Sequence, residues 1–148
     1  MKETSEKHLV TGGAGFLGSH LIDRLIVKGV KVICLDNFYT GSDKNIEHWF
    51  SNPNFELLSH NVVDNLDLNV DRIWHLACPA SPLHYQRDPI ETARTNFLGT
   101  YNMLELARKN KSKILFASTS EIYGDPEVHP QPETYKAVSY THLTLPTI

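Results

Sequence analysis

The sequence predicts an α/β fold built on a doubly wound parallel sheet, and three observations carry that prediction. Apolar runs of strand length alternate with stretches of helical spacing along most of the chain. That is the pattern of repeated strand–helix units with helices on both faces of one sheet. A glycine-rich turn, Gly12-Gly13-Ala14-Gly15-Phe16-Leu17-Gly18, stands where the first such strand meets the first helix, and an acid, Asp36, closes the second apolar run.

Taken in order, His8-Leu9-Val10 centres a strand over 7–11, and the apolar spacing from Phe16 to Val27 predicts a helix. A second strand is expected over 31–35 and a short helix from Asn45 to Phe50. An Asn52-Pro53 turn precedes a third strand over 55–59, and a fourth is expected over 71–76. A long helix is predicted from Pro89 to Lys109, because proline at the first turn loses only an N–H that has no partner there. Its apolar stripe is Ile90, Ala93, Phe97, Tyr101 and Leu104, and a fifth strand follows over 113–118. Right-handed crossovers make the strand order 3-2-1-4-5, a Rossmann sheet with its ligand crevice at the carboxyl ends of strands 1 and 4.

Composition narrows the class of protein. At 148 residues, with 41% hydrophobic and 21% charged side chains, the chain has the size and balance of one globular domain. A net charge of −3 without a long run of one sign offers no nucleic-acid surface and no basic membrane patch. Met1 to Lys7 is polar and no apolar stretch approaches ~20 residues, so neither a secretory signal nor a membrane span is expected, and the expected compartment is cytoplasmic. Cys34 and Cys78 suit reduced, partly buried thiols. The eight histidines lack ligand spacing, so no metal is expected.

The glycines specify a nucleotide grip. Gly12, Gly15 and Gly18 fit G-x-x-G-x-x-G, and Gly13, Gly15 and Gly18 fit G-x-G-x-x-G. Such a turn combines positive φ, backbone contact with a pyrophosphate and close helix–strand packing, while the helix N-terminus presents free N–H groups to the phosphates. Asp36 lies at the distance expected for a ribose contact. A carboxylate there accepts from the 2′-OH of NAD and repels a 2′-phosphate, and Asn37 stands where an arginine would favour NADP. The expected cofactor is therefore NAD.

The segments after strands 4 and 5 border the same crevice. Leu76-Ala77-Cys78-Pro79-Ala80-Ser81-Pro82 has small side chains that admit a nicotinamide, or forms a proline-rich turn without function. Ala117-Ser118-Thr119-Ser120-Glu121-Ile122-Tyr123-Gly124 offers hydroxyls and a carboxylate for binding an alcohol and moving a proton, or a hydroxyl-capped turn.

Thr11 to Gly18, the Asp36-Asn37 pair and Ser118 to Gly124 resemble the extended short-chain dehydrogenase/reductases that act on nucleotide sugars. Within that superfamily, four strings are similar to UDP-glucuronate decarboxylases, also called UDP-xylose synthases. They are Asp36-Asn37-Phe38-Tyr39-Thr40-Gly41, Glu47-His48-Trp49, Pro79-Ala80-Ser81-Pro82 and Tyr123-Gly124-Asp125-Pro126-Glu127-Val128-His129-Pro130-Gln131. The likeness runs from about His8 to Tyr135. It implies a cycle in which the UDP-glucuronate ring is oxidised at C4 by NAD, loses its carboxylate β to the new ketone and is reduced to UDP-xylose. By the same resemblance, Thr119 binds the C4 oxygen and Glu121 assists near C5. Gly15, Phe16, Leu17, Asp36, Asn37, Phe38, Thr40 and Gly41 contact the adenosine and pyrophosphate, with Gly12 and Gly18 shaping the turn. Asn61, where the family commonly has Asp, and Val62 lie at the adenine. Leu76, Thr95 and Cys78, the last where serine is usual, line the cofactor. Tyr85, Arg94, Asn102, Arg108 and Lys109 are implied as sugar or diphosphate contacts, the last two equally readable as a solvated helix end. A homodimer burying the Pro89–Lys109 helix is also implied.

After Tyr135 the likeness ends. The family's Tyr-x-x-x-Lys pair is not met: Tyr135 is followed four residues later by Ser139, and Tyr140 by Thr144. We therefore expect an NAD-binding part over 1–135, a non-family tail over 136–148, an incomplete sheet and no turnover by this polypeptide. Besides a decarboxylase, two readings stay open: an enzyme like dTDP-glucose 4,6-dehydratase, and a non-catalytic NAD-binding module.

Overall fold

The computed structural model describes residues 6–119, 123, 124 and 126–135. The chain divides into two compact units, Met1–Phe116 and Ala117–Ile148. In the first, β1 (Lys7–Thr11), β2 (Lys31–Asp36), β3 (Phe55–Ser59), β4 (Arg72–His75) and β5 (Lys113–Phe116) form one parallel sheet of order β3-β2-β1-β4-β5. The expected topology is the observed one.

Alternation along the strands feeds two cores. Leu9, Ile33, Leu35 and Ile73 face one side of the sheet and pack with Met103, Leu106 and Ala107. These last three lie on the helix α4 (Thr100–Asn110). Val10, Val32 and Cys34 face the other side and pack with Ile22, Leu25 and Ile26 of α1 (Phe16–Val27). Central parallel strands are buried on both faces, which is why they read as unbroken apolar runs.

Three expectations need correction. The short helix expected from Asn45 to Phe50 is a pair of 3-10 turns, Asp43–Asn45 and Glu47–Trp49. Fully buried Ile46 divides them, while Asn45 Nδ2 donates to the Ala14 carbonyl (2.8 Å) and Trp49 Nε1 to Asp23 (2.6 Å). So short a segment tied at both ends favours the tighter turn over an α-helical nucleus. The fourth and fifth strands stop at His75 and Phe116, short of 76 and 118. The long helix is interrupted: after the short α2 (Pro82–Tyr85), α3 (Pro89–Arg94) leads through a π-turn over Thr95–Gly99 into α4.

Asp88 caps α3 by accepting from Glu91 N (2.9 Å). Within the π-turn Gly99 meets the segment after β3, where an added Cβ would lie 2.7 Å from Val62 Cγ2. The apolar stripe faces away from the core: Ile90 and Phe97 are each 73% exposed, Tyr101 55% and Leu104 50%.

In the second unit the Tyr123 and Tyr135 rings meet edge to face at 6.4 Å, and the Tyr135 hydroxyl accepts from Glu127 N (3.2 Å). The expected tail over 136–148 lies outside the described residues. Among the described residues no helix is long and apolar enough to cross a membrane.

Candidate functional site

The site begins where β1 turns into α1. Gly12 has φ +70°, and its N–H donates to the Leu35 carbonyl (2.8 Å). A Cβ on Gly12 would lie 3.0 Å from the Leu76–Ala77 backbone, one on Gly15 3.2 Å from the Gly12 oxygen, and one on Gly18 2.2 Å from that oxygen. Gly18 tolerates no side chain and Gly12 holds a positive φ against backbone, whereas a side chain at Gly15 would only crowd the Gly12 oxygen. No side chain caps α1 at Gly15. Its first N–H groups and the partial positive charge of the helix end are left to a ligand, and a cradle of this shape and polarity fits a pyrophosphate.

Asp36 ends β2 beside this cradle and is buried. One carboxylate oxygen accepts from Ala14 N and the other from Phe38 N, both at 2.9 Å. The second bond holds Phe38 at φ +58°, a conformation side chains rarely adopt. Each oxygen keeps a lone pair for a vicinal diol. Gly41 packs on the carboxylate, since its Cβ would lie 3.0 Å from both oxygens, and Ser42 N donates to the Ala14 carbonyl (3.1 Å). Phe38, Gly41, Ser42 and Asp43 line a cleft of about 300 Å³. Asn37 Oδ1 accepts from Tyr39 N (3.1 Å), which fixes the strand exit that leads to Thr40.

Beyond β3, His60 N donates to the Asp36 carbonyl (3.1 Å), bringing Asn61 and Val62 to the same end of the sheet. Asn61 Nδ2 donates to Glu91 (3.3 Å), while its Oδ1 accepts from Val63 N (3.2 Å). The Asn61 amide can face Glu91 without the repulsion that a second carboxylate would bring. Val62 is buried under Gly99.

Across β1, the Thr11 hydroxyl accepts from Leu76 N (3.2 Å) and Ala77 N (3.3 Å). It also lies 2.8 Å from Nδ1 of His75, whose Nε2 is 3.3 Å from the Thr100 hydroxyl. Burial pushes the His75 imidazole down to about 4, so it is neutral over the ordinary pH range. Cys78 is exposed, contrary to the partly buried thiol expected, because it lies in the loop past the end of β4. Its Sγ donates to the Pro79 carbonyl (3.5 Å), and partial desolvation pushes the thiol up. Cys34 is buried and free; burial, then the Asp36 charge, pushes its thiol up to about 12. Thr95 lies in the π-turn and is half-buried.

The implied sugar contacts are dispersed. Tyr85 ends α2, its carbonyl accepting from the Thr92 hydroxyl (3.1 Å), and Arg94 pairs with Glu91 (3.3 Å). Asn102 Nδ2 donates to the Val62 carbonyl (2.9 Å) and holds the chain after β3 onto α4. Arg108 pairs with Glu105 and Lys109 with Asp67, each at 2.7 Å. Both stand in the last turn of α4, next to the amino ends of β4 and β5, where Asn110 Nδ2 donates to the Leu68 carbonyl (2.6 Å). That is the end of the sheet opposite the glycine turn. Thr119 belongs to the second unit, and Glu121 lies outside the described residues.

Sequence reasoning read Gly13 only as part of G-x-G-x-x-G and Thr11 only within the family string, and passed over His75. A Cβ on Gly13 would lie 2.5 Å from Cys34 Sγ, so a small residue is required there as well. The small Cys34 in an otherwise bulky β2 was a signal for it. Nothing in the sequence joins Thr11 to His75, which are 64 residues apart.

The profile of the family described as GDP-mannose 4,6 dehydratase matches residues 9–140. UDP-glucuronic acid decarboxylase 2 of Arabidopsis thaliana is 56% identical over 135 residues, covering 91% of this chain and 30% of the relative. This chain thus spans about 30% of the length of that curated relative. Among solved structures, the UDP-glucose 4-epimerase of Thermus thermophilus in complex with NAD superposes with a TM-score of 0.72 at 32% identity, covering 88% of this chain and 44% of the other. The dTDP-glucose 4,6-dehydratase of Streptomyces venezuelae, with NAD and TYD bound, does so with a TM-score of 0.78 at 27% identity, covering 88% and 45%.

Proposed function

The chain belongs to the GDP-mannose 4,6 dehydratase family, and from that premise we propose that it is the NAD-binding part of an enzyme that decarboxylates UDP-glucuronate to UDP-xylose. The observation that carries the reading is the 56% identity with a UDP-glucuronic acid decarboxylase over 135 residues, 91% of this chain. The bare-backbone cradle at Gly12, Gly15 and Gly18 and the ribose-ready carboxylate of Asp36 support NAD.

NAD, when bound, supplies the redox chemistry at C4 of the sugar. The chain's own part is to hold the two ends of the cofactor. The glycine turn and the N–H groups of Phe16 and Leu17 take the pyrophosphate, Asp36 takes the adenosine ribose, and Asn61 with Val62 borders the adenine. Leu76, Cys78 and Thr95 border the nicotinamide half. Thr119 binds the C4 oxygen, and Glu121 moves a proton near C5.

The reading is tested by replacing the matching part of the Arabidopsis relative with residues 8–135 of this chain. Release of carbon dioxide and UDP-xylose from UDP-glucuronate is expected. A chimera that instead dehydrates dTDP-glucose makes the chain a 4,6-dehydratase part, and one that binds NAD but turns over neither sugar makes it a non-catalytic module. Without a base placed by a Tyr-x-x-x-Lys pair, the 148-residue chain alone is expected to be slower by ~10²–10⁴-fold or more; activity equal to the chimera's would overturn that.

NAD is expected to bind more tightly than NADP, and Asp36→Ala to weaken NAD by ~1–3 kcal/mol, the range for charge-assisted hydrogen bonds left unmade. Calorimetric titration of both nucleotides checks this, with equal affinities counting against the ribose contact. A second copy of the chain is the partner proposed for the exposed stripe of Ile90, Phe97, Tyr101 and Leu104. Phe97→Asp should then shift sedimentation from dimer to monomer, and identical sedimentation of both forms would leave the stripe solvated.

A further inference from the structure

We propose that His75, held as the tautomer with its proton on Nε2, is a positioning residue that seats the Leu76–Ala77 backbone against the glycine turn and so sets cofactor affinity. The inference deepens the NAD-binding reading and rests on it. It starts from a count of protons. A threonine hydroxyl has one hydrogen to give and two lone pairs to fill. Thr11 Oγ1 is fully buried and accepts from both Leu76 N (3.2 Å) and Ala77 N (3.3 Å), which uses both lone pairs.

Its single hydrogen must therefore go to the remaining neighbour, His75 Nδ1 at 2.8 Å. Nδ1 is then an acceptor and carries no proton. The imidazole proton sits on Nε2 and is donated to the Thr100 hydroxyl at 3.3 Å. The ring is 2% exposed and stacks on Phe116 with centroids 5.7 Å apart, so water does not substitute for either partner. A chain with one direction runs from α4 to the crevice: His75 Nε2–H to Thr100, Thr11 O–H to His75, and two backbone amides to Thr11.

The far end of this chain matters for the cofactor. The Leu76–Ala77 backbone is the wall that Gly12 packs on, with 3.0 Å from a Gly12 Cβ position to Ala77 N and Cα. If Nδ1 ceased to accept, the Thr11 hydrogen would have to turn toward an amide it now accepts from; Leu76 N also donates to the Thr11 carbonyl (3.2 Å) and would stay held, so the bond at stake is that of Ala77 N. Ala77 would drift from Gly12, and the cradle would widen where the pyrophosphate passes into the nicotinamide half.

Two substitutions separate the two ring nitrogens. His75→Asn presents Oδ1 near the place of Nδ1 and keeps an acceptor for Thr11. His75→Gln reaches the place of Nε2 but leaves Thr11 without an acceptor. In the full chain, H75N should bind NAD within about threefold of the unsubstituted protein, and H75Q about tenfold or more weaker. Without any nucleotide, amide exchange at Ala77 should remain slow in H75N and accelerate by about tenfold in H75Q. Nitrogen-15 histidine spectra of the unsubstituted chain should show the His75 proton on Nε2.

A proton on Nδ1, or equal Ala77 exchange in H75N and H75Q, overturns the proposal even if H75Q folds poorly, because the first measurement needs no variant. If the unsubstituted chain binds no NAD, the NAD reading fails and with it the claim on cofactor affinity. The tautomer and exchange results would still decide whether His75 seats the backbone.

Discussion

Replacing Gly18 by alanine is expected to cost about 3 kcal/mol of stability and to abolish nucleotide binding, the upper part of the usual range for forcing an atom into a packed interior. The new Cβ would lie 2.2 Å from the Gly12 carbonyl oxygen and 2.7 Å from Gly13 Cα. Both obstacles are backbone, so no side-chain rotation relieves them. Separating them means lifting α1 from the turn, which moves Phe16 and Leu17 N–H away from a pyrophosphate.

Gly29→Ala is the control. Gly29 has φ +79° but nothing within 4 Å of its Cβ position. It should cost about 1–2 kcal/mol through backbone strain alone and leave nucleotide affinity unchanged. Denaturant unfolding with calorimetric titration measures both quantities, and equal effects of the two substitutions would mean that the close approach at Gly18 is not what shapes the cradle.

Acid should unfold the protein through His75. The imidazole is ordinarily half-protonated near 6.5 and is pushed down to about 4 by burial. Above pH 6.5 it is neutral in both the folded and unfolded chain and does not affect the balance. Below 6.5 the unfolded chain takes up a proton that the folded chain refuses until about pH 4. Stability is therefore lost as pH falls across that window and levels off below it. At ~1.4 kcal/mol per unit the loss amounts to about 3 kcal/mol.

Among the described residues, the groups that bond to or stack on the ring are the Thr11 and Thr100 hydroxyls and Phe116, none of which brings a charge to offset the proton. His75→Asn cannot titrate and should remove this part of the pH dependence. Urea unfolding of both forms between about pH 7 and pH 4 isolates it by difference. Parallel profiles would show that His75 is protonated in the folded chain or charged equally in both states.

The features that were legible early share a local origin. Leu9/Val10 and Ile33/Cys34 alternate between two cores, and alternation is a property of neighbouring residues. The glycine turn and Asp36 were legible because positive φ at Gly12 and the exit of β2 are requirements of a few consecutive residues. The 3-10 turns at Asp43–Asn45 and Glu47–Trp49 were not, since their ties to Ala14 and Asp23 span 31 and 26 residues.

The order of the five strands, the sheet order, the glycine turn and the family were all written in periodicity or in residues adjacent along the chain. Folding alone settled which face of the Pro89–Asn110 segment meets the sheet, with Met103 and Leu106 inside and Phe97 and Tyr101 outside. It also brought Arg108 and Lys109 to the amino end of the sheet and Asn102 onto Val62, and joined His75 to Thr11. A side chain's donors, acceptors and charge are set by its type. Whether a ligand or the protein's own backbone meets them depends on residues 40 to 64 positions away, and no local pattern in the chain records that distance.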